Sequence, residues 1–249
     1  LRPDALGTCY ALAENTFAVT EAGVSARVAE EEIDAEEFFR ENTARVVSPG
    51  KTGYRMLSSG RPLSGHEVKI VDSERRPLTP RQVGEIAIRS RCLMNGYYNN
   101  PDATAASMDA EGWFYTGDLG YLTEERDLFV TGRSKDMIIV SGMNIYPSDI
   151  EYLVSHVPGV HPGRVVAFGV DNPGKGTEDL VVVVEREASA AGREKEIEAA
   201  IRRQVSMCAE CPVSDVRLVP PMWLLKSSSG KIARSANKEK YLEEKGKIL

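Results

Sequence analysis

Between residues 53 and 121 the apolar positions fall in short alternating or continuous runs, such as HEVKIVD (66–72) and GEIAIRS (84–90). The segments PLTPRQVG (77–84) and YYNNPD (97–102) interrupt them. A period of two, bounded by Pro, Asn and Gly, predicts strands joined by turns, hence a small antiparallel barrel or sheet. Next, DLFVTGR (127–133) and DMIIVSG (136–142) are expected to pair as strands. Helix and strand candidates then alternate through SDIEYLVSHV, RVVAFGV, EDLVVVVERE, EKEIEAAIRRQVSM, DVRLVP and ANKEKYLEEK. The pattern changes near residue 133 and separates residues 1–133, with a β-rich part over about 53–131, from a compact α+β unit over 134–249. The acidic run AEEEIDAEE (29–37) brings Val28, Ile33, Phe38 and Phe39 within helical reach of one another. It reads as a solvated helix face, because no His or fixed carboxylate geometry accompanies it to suggest a metal site.

Composition narrows the class. With 42% hydrophobic residues in 249 positions, the chain can bury a sizeable core. A net charge of -6 and a pI near 5.3 disfavour nucleic acid as a partner. No apolar run approaches the roughly 18 residues that span a bilayer, and residues 1–10 lack the layout of a signal peptide, so a cytoplasmic location is expected. Four cysteines do not make a disulfide framework. The pair Cys208 and Cys211 closes an amphipathic stretch and runs into Pro212, whereas a redox C-x-x-C would open a helix. His66, His156 and His161 are not at zinc-ligand spacing to it, and a structural reading is expected.

Chemistry concentrates in three places. KSSSGKIARS (226–235) has the look of a phosphate loop, but Leu225 stands where the first Gly of a Walker A motif belongs and Ile232 where the hydroxyl belongs. What remains is Lys231, a cation on a small flexible loop, suited to delivering charge to an anion built elsewhere. In GWFYTGDLG (112–120), glycines on both sides of Asp118 are expected to present its carboxylate at the end of a strand, exposed to a ligand. A carboxylate has acceptors and no donor, so its natural neutral partner is a pair of adjacent hydroxyls such as a ribose diol. Arg133, a fork of donors, follows within GRSKDMIIVSGMNIYPSDIE (132–151). An Asp/Arg pair alone more often means a surface ion pair.

Asp, Arg and Lys in this order, with CYALAEN (9–15), SSGRPLSGHEVKIVD, GEIAIRS, MNGYYNNPDAT, YTGDLG and SSSGKIARS, make the chain resemble the adenylate-forming superfamily: acyl-CoA synthetases, fatty acyl-AMP ligases and adenylation domains. The similarity runs over nearly the whole sequence. It implies a mixed α/β and α+β fold, the distal β-barrel-like part of a large adenylating domain followed by a small mobile α+β C-terminal domain. It implies ATP and Mg²⁺ as cofactors, a fatty or other carboxylic acid as substrate, and an acyl carrier protein or CoA as acceptor. Carried over by motif, Tyr10 would stack on the adenine, Glu14 would help hold Mg²⁺, Asp118 would accept from the ribose hydroxyls and Arg133 would assist it. Lys231 would reach the substrate carboxylate and the α-phosphate, Lys135 would be the hinge, and the loop at Gly142 would face the incoming thiol.

Three features resemble the fatty acyl-AMP ligase branch more than the CoA branch: Ala13 before Glu14, the long interval 15–59, and the runs PGRVVAFGV and LVVVVERE. Two positions depart from the family pattern, with Ala11 where Gly is usual and Leu225 where Pro is usual. The family's early Ser/Thr/Gly-rich phosphate loop is not in this sequence. The chain therefore reads as the later half of a longer enzyme, expected to adenylate poorly alone. The competing reading is a non-catalytic module that docks a carrier protein. It gives Glu14, Asp118, Arg133 and Lys231 no work.

Overall fold

The computed structural model describes residues 5–22, 27–48, 50–209 and 211–246, and within them two compact units, Leu1–Lys135 and Asp136–Leu249. In the first unit, β1 (Cys9–Ala11), β2 (Ala18–Glu21), β3 (Glu30–Ile33), α1 (Ala35–Glu41), β4 (Tyr54–Leu57) and β5 (Arg61–Pro62) precede a meander of β6 (His66–Val71), β7 (Gly84–Ser90), β8 (Phe114–Leu122) and β9 (Leu128–Arg133), with α2 (Pro101–Ser107) inserted before β8. The meander is an open four-stranded antiparallel sheet in the order β6-β7-β8-β9, not a closed barrel. Its inward side chains Val68, Ile70, Ile86, Ile88, Phe114, Leu122 and Leu128 form one core with Tyr10 and Val19.

The acidic run is not one helix face. Glu30–Ile33 is a strand paired with β4 that buries Ile33 completely. Asp34 then stops it by capping α1, its Oδ1 accepting from Glu37 N–H at 3.1 Å. Glu31 accepts from the Tyr121 hydroxyl at 2.7 Å and pairs with Arg81, so this part of the run is internal wiring. YYNNPD is more than a turn, because Asn100 caps α2 by accepting from Ala103 N–H and Pro101 occupies its first turn, where no N–H is needed.

The second unit holds β10 (Ile138–Val140), β11 (Met143–Ile145), α3 (Pro147–Ser155), β12 (Val160–Asn172), β13 (Thr177–Arg186), α4 (Glu194–Ala209), β14 (Val213–Val219) and α5 (Arg234–Gly246). DLFVTGR and DMIIVSG do not pair with each other: β9 completes the first unit's sheet, whereas β10 forms a hairpin with β11. The central β13 lies antiparallel to β12 and parallel to β14. Its apolar run has no alternation because both faces are covered. Leu180, Val182 and Val184 pack with residues of α3 and α4, while Val181 and Val183 pack with Phe168, Leu224 and Tyr241. Each such side chain contributes about 1.5–3 kcal/mol relative to exposure. Among the described residues, no helix is long and apolar enough to cross a membrane.

Candidate functional site

Asp118 lies in the middle of β8, directly opposite Arg133 of β9, and not at a strand end. The ladder slips between Leu119 and Gly120, and Gly117 adopts φ +71°, a left-handed conformation that glycine takes without a Cβ clash. Gly117 N–H donates to Glu85 Oε1 at 2.8 Å and Asp118 N–H to Thr116 Oγ1 at 3.1 Å, which fix the kink. The carboxylate is not freely exposed either. Its side chain is 13% accessible, held between the Tyr10 hydroxyl, which donates to Oδ2 at 2.6 Å, and Arg133 Nε, which donates to Oδ1 at 3.0 Å.

β1 carries Tyr10 into the sheet core, so its ring is buried and only its hydroxyl meets a polar group. Burial, reinforced by the Asp118 charge, pushes the phenol far above the ordinary tyrosine range, and it stays a donor at any physiological pH. An ionised carboxylate offers about four lone-pair directions. Tyr10 and Arg133 use two, and acceptor capacity for a diol remains. The Arg133 side chain is 58% exposed and engages Asp118 through Nε.

Glu14 sits in the single 3₁₀ turn after β1. Its Oε1 accepts from the Tyr97 hydroxyl at 3.1 Å, and its backbone carbonyl accepts from Met94 N–H at 2.7 Å. Burial and then Glu14 raise the Tyr97 phenol. Neighbouring Asn15 is buried, with its amide donating to the Ala18 carbonyl and its Oδ1 accepting from Ser90 Oγ at 2.5 Å. Among the described residues no three His, Cys, Asp or Glu side chains cluster as a metal cage. Magnesium is compatible with such a lone carboxylate, since it commonly takes one or two carboxylates and completes its shell with water and substrate phosphates.

Thus Tyr10, Asp118 and Arg133 are in direct contact, and Glu14 follows in the same unit. Tyr97 was not anticipated. The N-N-P cap of α2 is the local signal that could have drawn attention to its neighbourhood. Lys135 is the last residue of the first unit, exposed in a single 3₁₀ turn with Ser134 and Asp136.

Lys231 and Gly142 belong to the second unit. Gly142 forms the β10–β11 turn and lines an open cleft of about 710 Å³ with Ile139, Asn172, Lys175 and Thr177. Lys231 is exposed near the tip of a short hairpin, not on a loose loop. Ser227 N–H donates to the Lys231 carbonyl at 2.8 Å, and Ala233 N–H to the Leu225 carbonyl at 3.0 Å. Buried Asn237 closes its base, accepting from Leu225 N–H and donating to the Leu225 and Ala233 carbonyls. Cys211 is buried, and burial pushes its thiol up to about 11, as suits a structural residue; the Cys208 side chain lies outside the described residues.

Residues 3–98 match the family of AMP-binding enzymes. A structure from work on fatty acyl-adenylate ligases of E. coli and L. pneumophila superposes on 100% of the chain with a TM-score of 0.87 and 30% identity, covering 44% of that chain. Residues 3–98 belong to the AMP-binding enzyme family. The chain is 38% identical to the medium-chain-fatty-acid–[acyl-carrier-protein] ligase JamA of Moorena producens, over 97% of its own length and 43% of the relative's. It is 35% identical to the long-chain-fatty-acid–CoA ligase of Escherichia coli O157:H7, over 81% of its own length and 34% of the relative's. It therefore spans less than half the length of these curated relatives.

Proposed function

We propose that this chain is the ribose-binding and lysine-bearing part of a ligase that activates a fatty or other carboxylic acid as its acyl-adenylate and transfers the acyl group to the phosphopantetheine thiol of an acyl carrier protein. One observation carries the reading: a half-buried carboxylate, oriented by Tyr10 and Arg133, that retains acceptor capacity for a nucleotide ribose. ATP is the nucleotide. Asp118 accepts from the ribose hydroxyls, and the Nη groups of Arg133 donate to the same sugar or an adjoining phosphate. Tyr10 borders the adenine while its hydroxyl keeps Asp118 in place. Glu14 holds Mg²⁺, which when bound offsets the charge on the ATP phosphates.

Attack of a carboxylate on the α-phosphate joins two anions, and negative charge is carried by the α-phosphoryl oxygens and by the pyrophosphate as it leaves. Lys231 supplies the compensating cation. Its value rises several-fold when water is excluded around it, which a hinge at Lys135 accomplishes by bringing Lys231 to the reacting groups. The reverse swing presents the loop at Gly142 to the thiol. In the full-length enzyme, Lys231→Ala should abolish most ATP–pyrophosphate exchange while nucleotide binding persists; an unchanged exchange rate removes Lys231 from the chemistry.

CoA as acceptor is the second reading, favoured by the likeness to the E. coli CoA ligase. Offering both thiols to preformed acyl-AMP and following AMP release distinguishes the acceptors.

A further inference from the structure

The guanidinium of Arg234, three residues beyond Lys231 at the first position of α5, gathers more partners than the proposed chemistry uses. Its Nη1 donates to Asp136 Oδ2 at 2.6 Å, its Nη2 to both oxygens of Glu151 at 2.9 and 3.1 Å, and its Nε to the Ala167 carbonyl at 3.0 Å. All three charged side chains are about one-fifth exposed, at 23, 19 and 22% for Arg234, Asp136 and Glu151. The acceptors come from three places in the second unit: its first residue, the α3 helix and the middle of β12. A surface ion pair is worth little. A planar fork engaging two carboxylates and a carbonyl at once fixes direction as well as distance.

We propose that Arg234 is a positioning residue, which fixes the base of the Lys231 hairpin to Asp136, the first residue beyond the candidate hinge, and so sets where the Lys231 ammonium is delivered. The proposal rests on the reading of Lys231 as the charge-compensating group. The hairpin is stiff on its own account: Asn237 locks Leu225 to Ala233, so an error in the angle of α5 is passed to the tip instead of being absorbed in the loop. Arg234 sets that angle. Burial raises the Glu151 carboxyl and the Arg234 charge opposes the rise, so Glu151 loses its compensating partner if the guanidinium is removed. Lysine in place of Arg234 is a single point donor and cannot reproduce the fork.

Because Arg234 touches neither nucleotide nor acid in this scheme, its loss should act through Lys231 alone. Misplacing a catalytic group by an ångström costs up to about 100-fold in rate. In the full-length enzyme, Arg234→Gln should lower kcat for ATP–pyrophosphate exchange by about 10- to 100-fold, with KM for ATP and acid changed by no more than about 3-fold. Arg234→Lys should recover only part of the loss, and Asp136→Asn should produce a smaller one. Acyl transfer from preformed acyl-AMP, which does not use Lys231, should change by less than about 3-fold in each variant. In a Lys231→Ala background, Arg234→Gln should add no further loss of exchange, because the group it positions is gone.

The inference is overturned if the two substitutions multiply, if both half-reactions fall together with thermal stability, or if Arg234→Gln exchanges like wild type while Lys231→Ala does not. Should Lys231→Ala exchange normally, the proposed function itself fails, a separate outcome. If Arg234→Gln does not fold, Asp136→Asn and Arg234→Lys carry the same comparison.

Discussion

Removing one hydroxyl, by Tyr10→Phe, tests the organisation of the candidate ribose site without any ligand. The Tyr10 oxygen stands 2.6 Å from Asp118 Oδ2, with the tyrosine 7% and the aspartate side chain 13% exposed, so neither group is well solvated in the fold. A hydrogen bond to a charged partner contributes about 1.5–3 kcal/mol, and Tyr10→Phe should destabilise the first unit by that amount. In an Asp118→Ala background the phenol is buried without its acceptor, a penalty of about 1–3 kcal/mol. There, Tyr10→Phe should be neutral or stabilising. Trp113 lies in the first unit and Trp223 in the second, so urea unfolding followed by tryptophan fluorescence in a Trp223→Phe background reports the first unit alone. A coupling of at least about 1.5 kcal/mol is expected from the cycle. Equal cost of Tyr10→Phe in both backgrounds would refute the claim that this hydroxyl is what holds Asp118.

Further outcomes follow from other parts of the chain. Gly60 has φ +88°, and an added Cβ would come within 1.9 Å of the Glu21 carbonyl carbon, so Gly60→Ala should cost about 3 kcal/mol or more. Gly117→Ala meets open space and should cost only about 1–2 kcal/mol; comparable melting temperatures for the two variants would contradict this. With Cys208→Ser removing one thiol, a disulfide reagent at pH 8 should label exposed Cys9 and Cys92 promptly and Cys211 only on unfolding; rapid labelling of Cys211 in the native chain would count against its burial. Hydrogen bonds from Lys175, Asn172 and Ser214 lower the Asp179 carboxyl to about 2. A depressed carboxyl stabilises the fold above its unfolded value of about 4 and ceases to as pH falls through its folded value. The stability difference between wild type and Asp179→Asn should therefore be flat above pH ~5 and shrink between pH ~4 and ~2; a difference that stays constant through that window removes the effect.

Local order was legible where a segment's own residues decide its conformation. The runs HEVKIVD and GEIAIRS predict strands and stand as β6 and β7, whereas the double coverage of Leu180–Val184 and the pairing of Asp118 with Arg133 across one antiparallel turn came only with the structure. Partnership across the chain was not legible. Tyr10 meets Asp118 over 108 positions, and nothing near either residue encodes that closeness; the sheet's tertiary packing does. The same gap explains the strand-end placement of Asp118, because its accessibility is set by β1 and β9 and not by its flanking glycines. DLFVTGR and DMIIVSG were matched by adjacency, yet each found a nearer apolar partner within its own unit. The acidic run misled through its composition, since charge density says nothing about which glutamate an internal tyrosine and arginine will claim.

The doubly covered β13 has a consequence for how such enzymes diversify. The residues that enclose it, from Ile138 to Tyr241, all belong to one contiguous stretch of sequence. Recombination near its start would move a finished hydrophobic interior as a cassette, exchanging the Lys231 hairpin and the Gly142 turn between paralogues while leaving the first unit untouched.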